Sequence, residues 1–413
     1  MEKRRVDGSS SSRPEWSSLE AFVRVKVQEL IQAVLEEEVT ELLGRRKSER
    51  RGLDQVGYRN GHGKPRKVSL TCGTIEVRRP RVRGLDEPLR SKVLPLFRRR
   101  SNEIGDMLPK LYLHGLALGD FELALRGLLG DAAPLSASSI DRLRASWQGE
   151  YDAWSKRRLD DKELVYAWAD GIYVKAGLEK EKAALLVVIG AMRDGSKEVL
   201  AVVPGHRESE ASWAEVLRDL KERGLNEPAC VIADGHLGIW KAIERVWPTT
   251  KEQRCWNHKT QNILDKLPTK QQDEAKAMLR DIAYAPTKKA AEDARKAFEL
   301  RFEKNDAGAV KCLHDDWDRL VTFFSFPKDH WKHLRTTNIV ESPFASVRLR
   351  TDAAKRFKKV ENATAMLWKL LMVAEASFRA LDGAKHLRDV HAGRKFVDGE
   401  IVVERKREMR TAA

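Results

Sequence analysis

Nowhere in this 413-residue chain do about 18 apolar residues run together, so no membrane-spanning helix is expected. Cysteine is scarce, with four scattered residues, which argues against a disulfide framework. The N-terminal stretch "MEKRRVDGSSSSRPEW" lacks the apolar centre of a signal peptide. It reads as the charged, Ser-rich leader of an intracellular protein. Acidic residues are the minority, with 62 Asp and Glu against 77 Lys and Arg, for a net charge of +15. That surplus points to a polyanionic partner, most simply nucleic acid. What is plentiful is core material. Hydrophobic residues make up 42% of a chain long enough for two or three domains.

The positive charge is concentrated. Between Arg45 and Arg100 stand 18 Lys and Arg against 5 Asp and Glu, a surplus of 13. Ahead of this block, Leu19 to Leu43 carries Phe22, Val27, Leu30, Ile31, Val34, Leu35, Val39 and Leu42 at helical spacing. Gly44 then supplies a helix stop. This amphipathic helix is suited to packing on a core, on a partner helix or on DNA. Within the block, "KVSLTCGTIEVRRPRV" alternates as a β-hairpin does. The arginines offered to phosphates are Arg45, Arg46, Arg50, Arg51, Arg59, Arg78, Arg79, Arg81, Arg83, Arg98, Arg99 and Arg100. A solvated basic face is the plainer alternative. From 102 to 160 the pattern suggests three short helices, the third Ser-capped, in a helix-turn-helix-like unit. A small helical bundle would look the same.

The texture changes at Glu163. "ELVYAWADGIYVKAG", "KAALLVVIGAMRDGSK" and "EVLAVVPGH" read as three strands, with "RDGSK" as a hairpin turn. A helix ending at Gly224 follows, then a strand in "EPACVIAD", a helix in "GIWKAIERVW", a short strand in "EQRC" and a further helix. This order is that of a ribonuclease H-like α/β core with a mixed five-stranded sheet. Residues 269–333 read as an all-α insertion, and residues 334–382 return to the core with a loop and two helices. The expected boundaries are a leader at 1–18, a helix and basic hairpin at 19–101 and a helical DNA-binding region at 102–160. The core then runs over 161–268 and 334–382 around the insertion. A basic, loosely ordered tail occupies 383–413.

Two strand-like runs each end in Ala-Asp-Gly, at Asp170 and Asp234. Turn chemistry is one explanation, because Asp-Gly is a common turn pair. The other is that two carboxylates meet on one sheet, as two-metal phosphodiester chemistry requires. Asp170 sits among mostly apolar residues, where an acid is costly unless paired or metal-bound. Glu341 is the natural third carboxylate. "NIVE" has the form of a capping box, and alternatively Ser342 caps a helix with Pro343 in its first turn. Either way Glu341 stands at a helix start. Arg348, seven residues on, projects from nearly the same face and could grip a phosphate.

At these residues the chain resembles the bacterial insertion-sequence transposases related to the eukaryotic Mutator elements. The likeness covers most of the chain. It rests on an ordered set: "GYRNGHGKPRKVSLTCGTIEVRRPRVRG", "LYLHGLALGDFELALRGLLG", "WADGIYVK", "VIADGHLGIWKAI", "RCWNHKTQNIL" and "RTTNIVESPFASVRLRT". The resemblance implies an Asp-Asp-Glu metal triad at Asp170, Asp234 and Glu341. It implies Arg348 as the basic residue of the catalytic helix, and Cys255 and His258 as the family's Cys-x-x-His pair with Trp256 between them. It further implies two Mg²⁺ ions, replaceable by Mn²⁺. The implied partners are double-stranded DNA, both terminal inverted repeats and target, and a homodimer or larger synaptic complex. The implied place is the bacterial cytoplasm, at the nucleoid when bound. The "ESPFAS" run departs from the commonest form of the motif after the glutamate, which bears on how the helix begins.

Other readings stay open on the residues alone. Cys255 and His258 could complete a zinc site with Cys312 and His314, or with His330 and His333, or form a hydrogen-bonded structural pair. Trp256 suits a core, or stacking on a base. A nuclease without strand transfer and an inactive DNA-binding regulator are the rival functions.

Overall fold

The computed structural model describes residues 19–52, 55–85, 89–95, 101–113, 137–176, 183–205, 209–235, 237–354 and 356–402. The chain divides into two compact units, Met1–Leu143 and Arg144–Ala413.

In the first unit, helix α1 (Leu19–Leu43) is followed by strands β1 (Tyr58–His62), β2 (Arg66–Leu70), β3 (Gly73–Val77) and β4 (Pro80–Arg83), then by α2 (Asn102–Leu113). β2 and β3 form the expected hairpin. Leu70 pairs with Gly73, so Thr71 and Cys72 make a two-residue loop. β1 and β4 pair antiparallel beyond it. Leu35 of α1 is buried in one cluster with Val68, Ile75, Val77 and Leu94, and Val39 and Leu43 are buried on the same helix. The amide of Arg78 donates to Gln32 Oε1, and Gln32 Nε2 donates to the Arg78 carbonyl, both at 2.9 Å. The helix thus satisfies backbone groups at the end of β3. The buried edge is narrower than the apolar stripe suggested, since Phe22, Leu30 and Leu42 are exposed. Apolar residues cover too much of this helix for periodicity alone to choose the inner face. The middle one of the three helices expected over 102–160 lies outside the described residues.

The second unit opens with the C-terminal part of α3 (Ala137–Ser155) and holds a five-stranded sheet. Its strands are β5 (Leu164–Val174), β6 (Ala183–Met192), β7 (Lys197–Gly205), β8 (Cys230–Ala233) and β9 (Lys251–Arg254). The order is β7-β6-β5-β8-β9. β6 pairs antiparallel with both β7 and β5, whereas β8 pairs parallel with β5 and β9 parallel with β8. This is the ribonuclease H-like arrangement. Helices α4 (Glu210–Glu222) and α5 (Leu237–Val246) cover one face. Trp213, Leu217, Trp240 and Ile243 meet Ala167 and Ala169 of β5 and Val231 and Ala233 of β8 there. Because strand side chains alternate, Tyr166, Trp168 and Asp170 must face the other side, as must Cys230, Ile232 and the residue after β8.

That second side carries the returning chain. Trp168 Nε1 donates to the His333 carbonyl at 3.0 Å, and Tyr166 hydrogen-bonds His330 at 2.9 Å. α6 (Trp256–Leu264), α7 (Thr269–Ala283) and α8 (Lys288–His314) follow β9, the last two forming the all-α insertion. Residues 317–334 are short helical turns, and α9 (Asn338–Ala354) and α10 (Val360–Glu375) complete the core. Up to Val402, where the described residues end, the chain after α10 is more ordered than the basic composition suggested. Phe396–Val397 pairs antiparallel with Glu400–Ile401, and Phe396 is buried. Among the described residues no helix is long and apolar enough to cross a membrane.

Candidate active site

The parallel ladder aligns Ala169 with Ala233 and Ala233 with Arg254. One step further along each strand stand Asp170, Asp234 and Cys255, and the Cys255 amide continues the ladder to the Ala233 carbonyl at 2.8 Å. Neighbouring strands are about 4.8 Å apart, so these three residues form a row across the sheet on the face away from α4 and α5, Asp170 inside β5 and Asp234 and Cys255 just past the ends of β8 and β9. Asp170 is buried, Asp234 half-buried and Cys255 fully buried. The Asp170 carboxylate accepts the Gly171 amide at 2.8 Å.

Gly235 makes the exit from β8 possible. Its φ is +97°, and a Cβ there would lie 2.2 Å from the Arg254 guanidinium carbon. Arg254 Nη1 donates to the Gly235 carbonyl at 3.1 Å and pairs with Asp316 at 2.9 Å. Lys259 Nζ joins the same Asp316 oxygen at 2.5 Å. All three charged residues are buried, so the turn after Asp234 is held by a desolvated ionic group. The Asp-Gly pair therefore carries the left-handed turn that takes the chain out of β8 directly after Asp234.

Helix α9 brings Glu341. Val340, Phe344 and Val347 are fully buried on its inner face. Glu341 and Arg348 follow Val340 and Val347 by one residue each. They share the adjoining strip, with Glu341 half-buried and Arg348 exposed. The helix begins at Asn338, and the Thr337 carbonyl accepts the amides of Val340 and Glu341 at 2.9 and 3.0 Å. It therefore starts before Ser342, and Pro343 lies inside it. This decides against the Ser342-capped alternative.

Thr337 is a site residue that sequence reading missed. Its amide and hydroxyl donate to Cys255 Sγ at 3.4 and 3.2 Å, and its hydroxyl also bonds Glu341. The only sequence signal was a hydroxyl residue four positions before a candidate carboxylate. His258, one turn into α6, has Nδ1 at 3.9 Å from Glu341 Oε1. Its pKa is raised to about 9, first by its pairing with the Cys255 sulfur, with the charges of Glu341 and Asp234 adding and burial opposing. That pairing is loose, since Nδ1 has no hydrogen-bond partner.

Donor atoms of Cys255, His258 and Glu341 all lie within 4.8 Å of one another. The other histidines considered for a zinc site are engaged elsewhere. His330 bonds Tyr166 and the Gly383 carbonyl, His333 contacts Asp382, and His314 pairs with Glu299. Among the described residues they form no metal-ready group with Cys255. Trp256 is core: it is buried, and its Nε1 donates to the Leu320 carbonyl at 2.9 Å.

The basic arginines divide into two kinds. Arg45 donates to the Gly57 carbonyl, Arg59 to Glu36 and Thr40, and Arg79 to the Leu89 carbonyl. Arg46, Arg50, Arg51, Arg78, Arg81 and Arg83 are exposed. Arg98, Arg99 and Arg100 lie outside the described residues.

With this geometry in place, comparison with known proteins becomes informative. The family model described as "Transposase, Mutator family" matches residues 5–380. The chain belongs to that family. It is 45% identical over 299 residues to the transposase for insertion sequence element IS6120 of Mycolicibacterium smegmatis, covering 72% of this chain and 93% of that one. It is 40% identical to the IST2 transposase of Acidithiobacillus ferrooxidans, over 67% of this chain and 94% of that one. The ISRM5 transposase of Rhizobium meliloti is 28% identical over 91% of this chain and 93% of its own length. The family match spans the basic block, the sheet and α9 together.

Proposed function

We propose that this Mutator-family protein is a DNA transposase that binds the terminal inverted repeats of an insertion sequence and catalyses metal-dependent strand cleavage and strand transfer. The observation that carries the reading is the row formed by Asp170 inside β5 and Asp234 just past the end of the adjacent parallel strand β8, with Glu341 tied to the next position in that row through Thr337 and Cys255. Three carboxylates are the hard oxygen donors that Mg²⁺ takes, and Cys255 is too soft to be one of them. Asp170, Asp234 and Glu341 would hold the ions. When bound, such a pair activates the attacking oxygen and stabilises the leaving one.

The remaining roles follow from charge and position. Arg348, exposed on the Glu341 strip, presents a planar guanidinium to a DNA phosphate. His258 stands beside Glu341, with Nδ1 at 3.9 Å from Oε1. The basic region of 19–101 and the helical region of 102–160 supply contacts to the repeats. Two element ends must meet for joining, so a homodimer or larger synaptic assembly is part of the reading. The place of action is the bacterial cytoplasm.

The test incubates the full chain with labelled element ends, a target plasmid and Mg²⁺, and omits Mg²⁺ in a control. Joined products are expected. Cleavage without joining would make the protein a nuclease, and binding without cleavage a regulator. Asp170→Asn, Asp234→Asn and Glu341→Gln should each abolish joined product while leaving end binding in place. Joining by Asp234→Ala at the wild-type rate would remove that residue from the site.

A further inference from the structure

We infer that Cys255, His258 and Glu341 form a binding site for a soft or borderline divalent cation, Zn²⁺ above all, which overlaps the Mg²⁺ carboxylates at Glu341. One sulfur, one imidazole and one carboxylate are the donor types of zinc, whereas Mg²⁺ takes oxygen alone. Spacing agrees. Zinc–ligand bonds of about 2.0–2.3 Å at a tetrahedral centre put neighbouring donors roughly 3.3–3.7 Å apart. His258 Nδ1 and Glu341 Oε1 are already at 3.9 Å, and all three donor atoms fall within 4.8 Å. Closing on an ion therefore needs the widest of these separations to shorten by roughly 1–1.5 Å.

The surroundings are those of a built site. Thr337 donates to the sulfur through both amide and hydroxyl, and the same hydroxyl bonds Glu341, which orients two of the three donors. His258 Nδ1 is sealed from solvent and has no hydrogen-bond partner. Cys255 forms the buried floor, while the side chains of His258 and Glu341 are 40% and 30% exposed. Three protein donors leave a fourth position open.

The consequence for activity rests on the role proposed for Glu341. A carboxylate held by Zn²⁺ beside Cys255 is withdrawn from Asp170 and Asp234. Zinc then acts as a reversible inhibitor of a Mg²⁺-dependent enzyme.

Binding is tested without DNA. The full-length, metal-stripped chain is titrated with Co²⁺, and with Zn²⁺ against a chromophoric chelator. One equivalent of Co²⁺ should give a sulfur-to-cobalt charge-transfer band. Cys255→Ser should abolish the band, and Cys255→Ser and His258→Asn should each weaken Zn²⁺ at least ~10-fold. Asp170→Asn should bind Zn²⁺ as tightly as wild type. His258 is partly exposed, so its variant tests the site even if Cys255→Ser misfolds. Absence of the band from the wild-type chain, or equal Zn²⁺ affinity in His258→Asn, overturns the site. A second arm adds Zn²⁺ to Mg²⁺-supported cleavage. Inhibition reversed by chelator is expected, and Zn²⁺ binding without inhibition overturns the regulatory part. A chain that binds Zn²⁺ yet never cleaves DNA with Mg²⁺ would instead sink the transposase reading.

Discussion

Arg254 Nη1 stands 3.1 Å from the Gly235 carbonyl oxygen, and its guanidinium fills the space that a Cβ on Gly235 would need. The backbone that carries Asp234 out of β8 is therefore shaped by a side chain from β9. Gly235→Ala would face both a left-handed φ and this collision. The backbone strain alone is worth about 1–3 kcal/mol. We expect a lower melting temperature and loss of Mg²⁺-dependent cleavage. Arg254→Met removes the collision and leaves the strain, so the double variant should lose less stability than the two single losses added. Strict additivity in thermal unfolding would show that the two residues do not touch.

Asp316 pairs with both Arg254 and Lys259, all three being buried. Asp316→Ala leaves two buried cations without that partner. Breaking a buried pair in this way costs about 3–5 kcal/mol. Urea denaturation should show a drop of that order, and Lys259→Met should cost clearly less, because Arg254 keeps its partner. A loss below about 1 kcal/mol for Asp316→Ala would place the acid in a far wetter setting than its burial implies.

Much of the core was legible because its signals are local. The apolar runs of β5, β6 and β8, the "RDGSK" turn between β6 and β7, and the amphipathic spacing of α4 each identify an element without reference to its neighbours. The two aspartates stood out because an acid in an apolar strand needs a reason. What the sequence could not supply was pairing across distance. The Arg254–Gly235 contact depends on the β8–β9 register, and Thr337 reaches Cys255 only because the chain returns after an insertion of more than 60 residues. The same holds for the zinc alternatives. His330 and His333 match no tight zinc spacing with Cys255, and their partners are a tyrosine, a carbonyl and an aspartate brought in by the fold. The arginines of the basic block are alike in sequence, and only burial separates those that hold the hairpins from those that face water.

His330 gives a pH signature. Its Nε2 lies 3.0 Å from the Gly383 carbonyl, which can only accept, so Nε2 carries the proton and Nδ1 accepts from the Tyr166 hydroxyl. Burial is the main cause that pushes its pKa down from 6.5 to about 4. The unfolded chain then binds more protons between these values. The contribution is fully present above pH 6.5 and is lost as pH falls toward 4, about 3 kcal/mol across the window. His330→Gln should flatten the dependence of the urea midpoint over this range relative to wild type. Parallel curves for the two proteins would show that His330 does not change protonation on unfolding.

The last expectation concerns the exposed and the internal arginines of the first unit. Arg78, Arg81 and Arg83 are exposed near β4, whereas Arg59 is held by Glu36 at 2.9 Å and Thr40 at 2.7 Å. If the exposed set contacts phosphates, each Arg→Ala change there removes one released counterion. The slope of log affinity against log salt should then fall by about 1 per residue, with no loss of melting temperature. Arg59→Ala should do the reverse. It should cost about 1 kcal/mol of stability and leave the salt slope unchanged. Fluorescence anisotropy with a labelled element end, over roughly 50–200 mM salt, separates the two behaviours. A slope unmoved by the triple Arg78, Arg81 and Arg83 substitution would place the phosphate contacts elsewhere in the chain, and the basic surplus of this block would then be a solvated face.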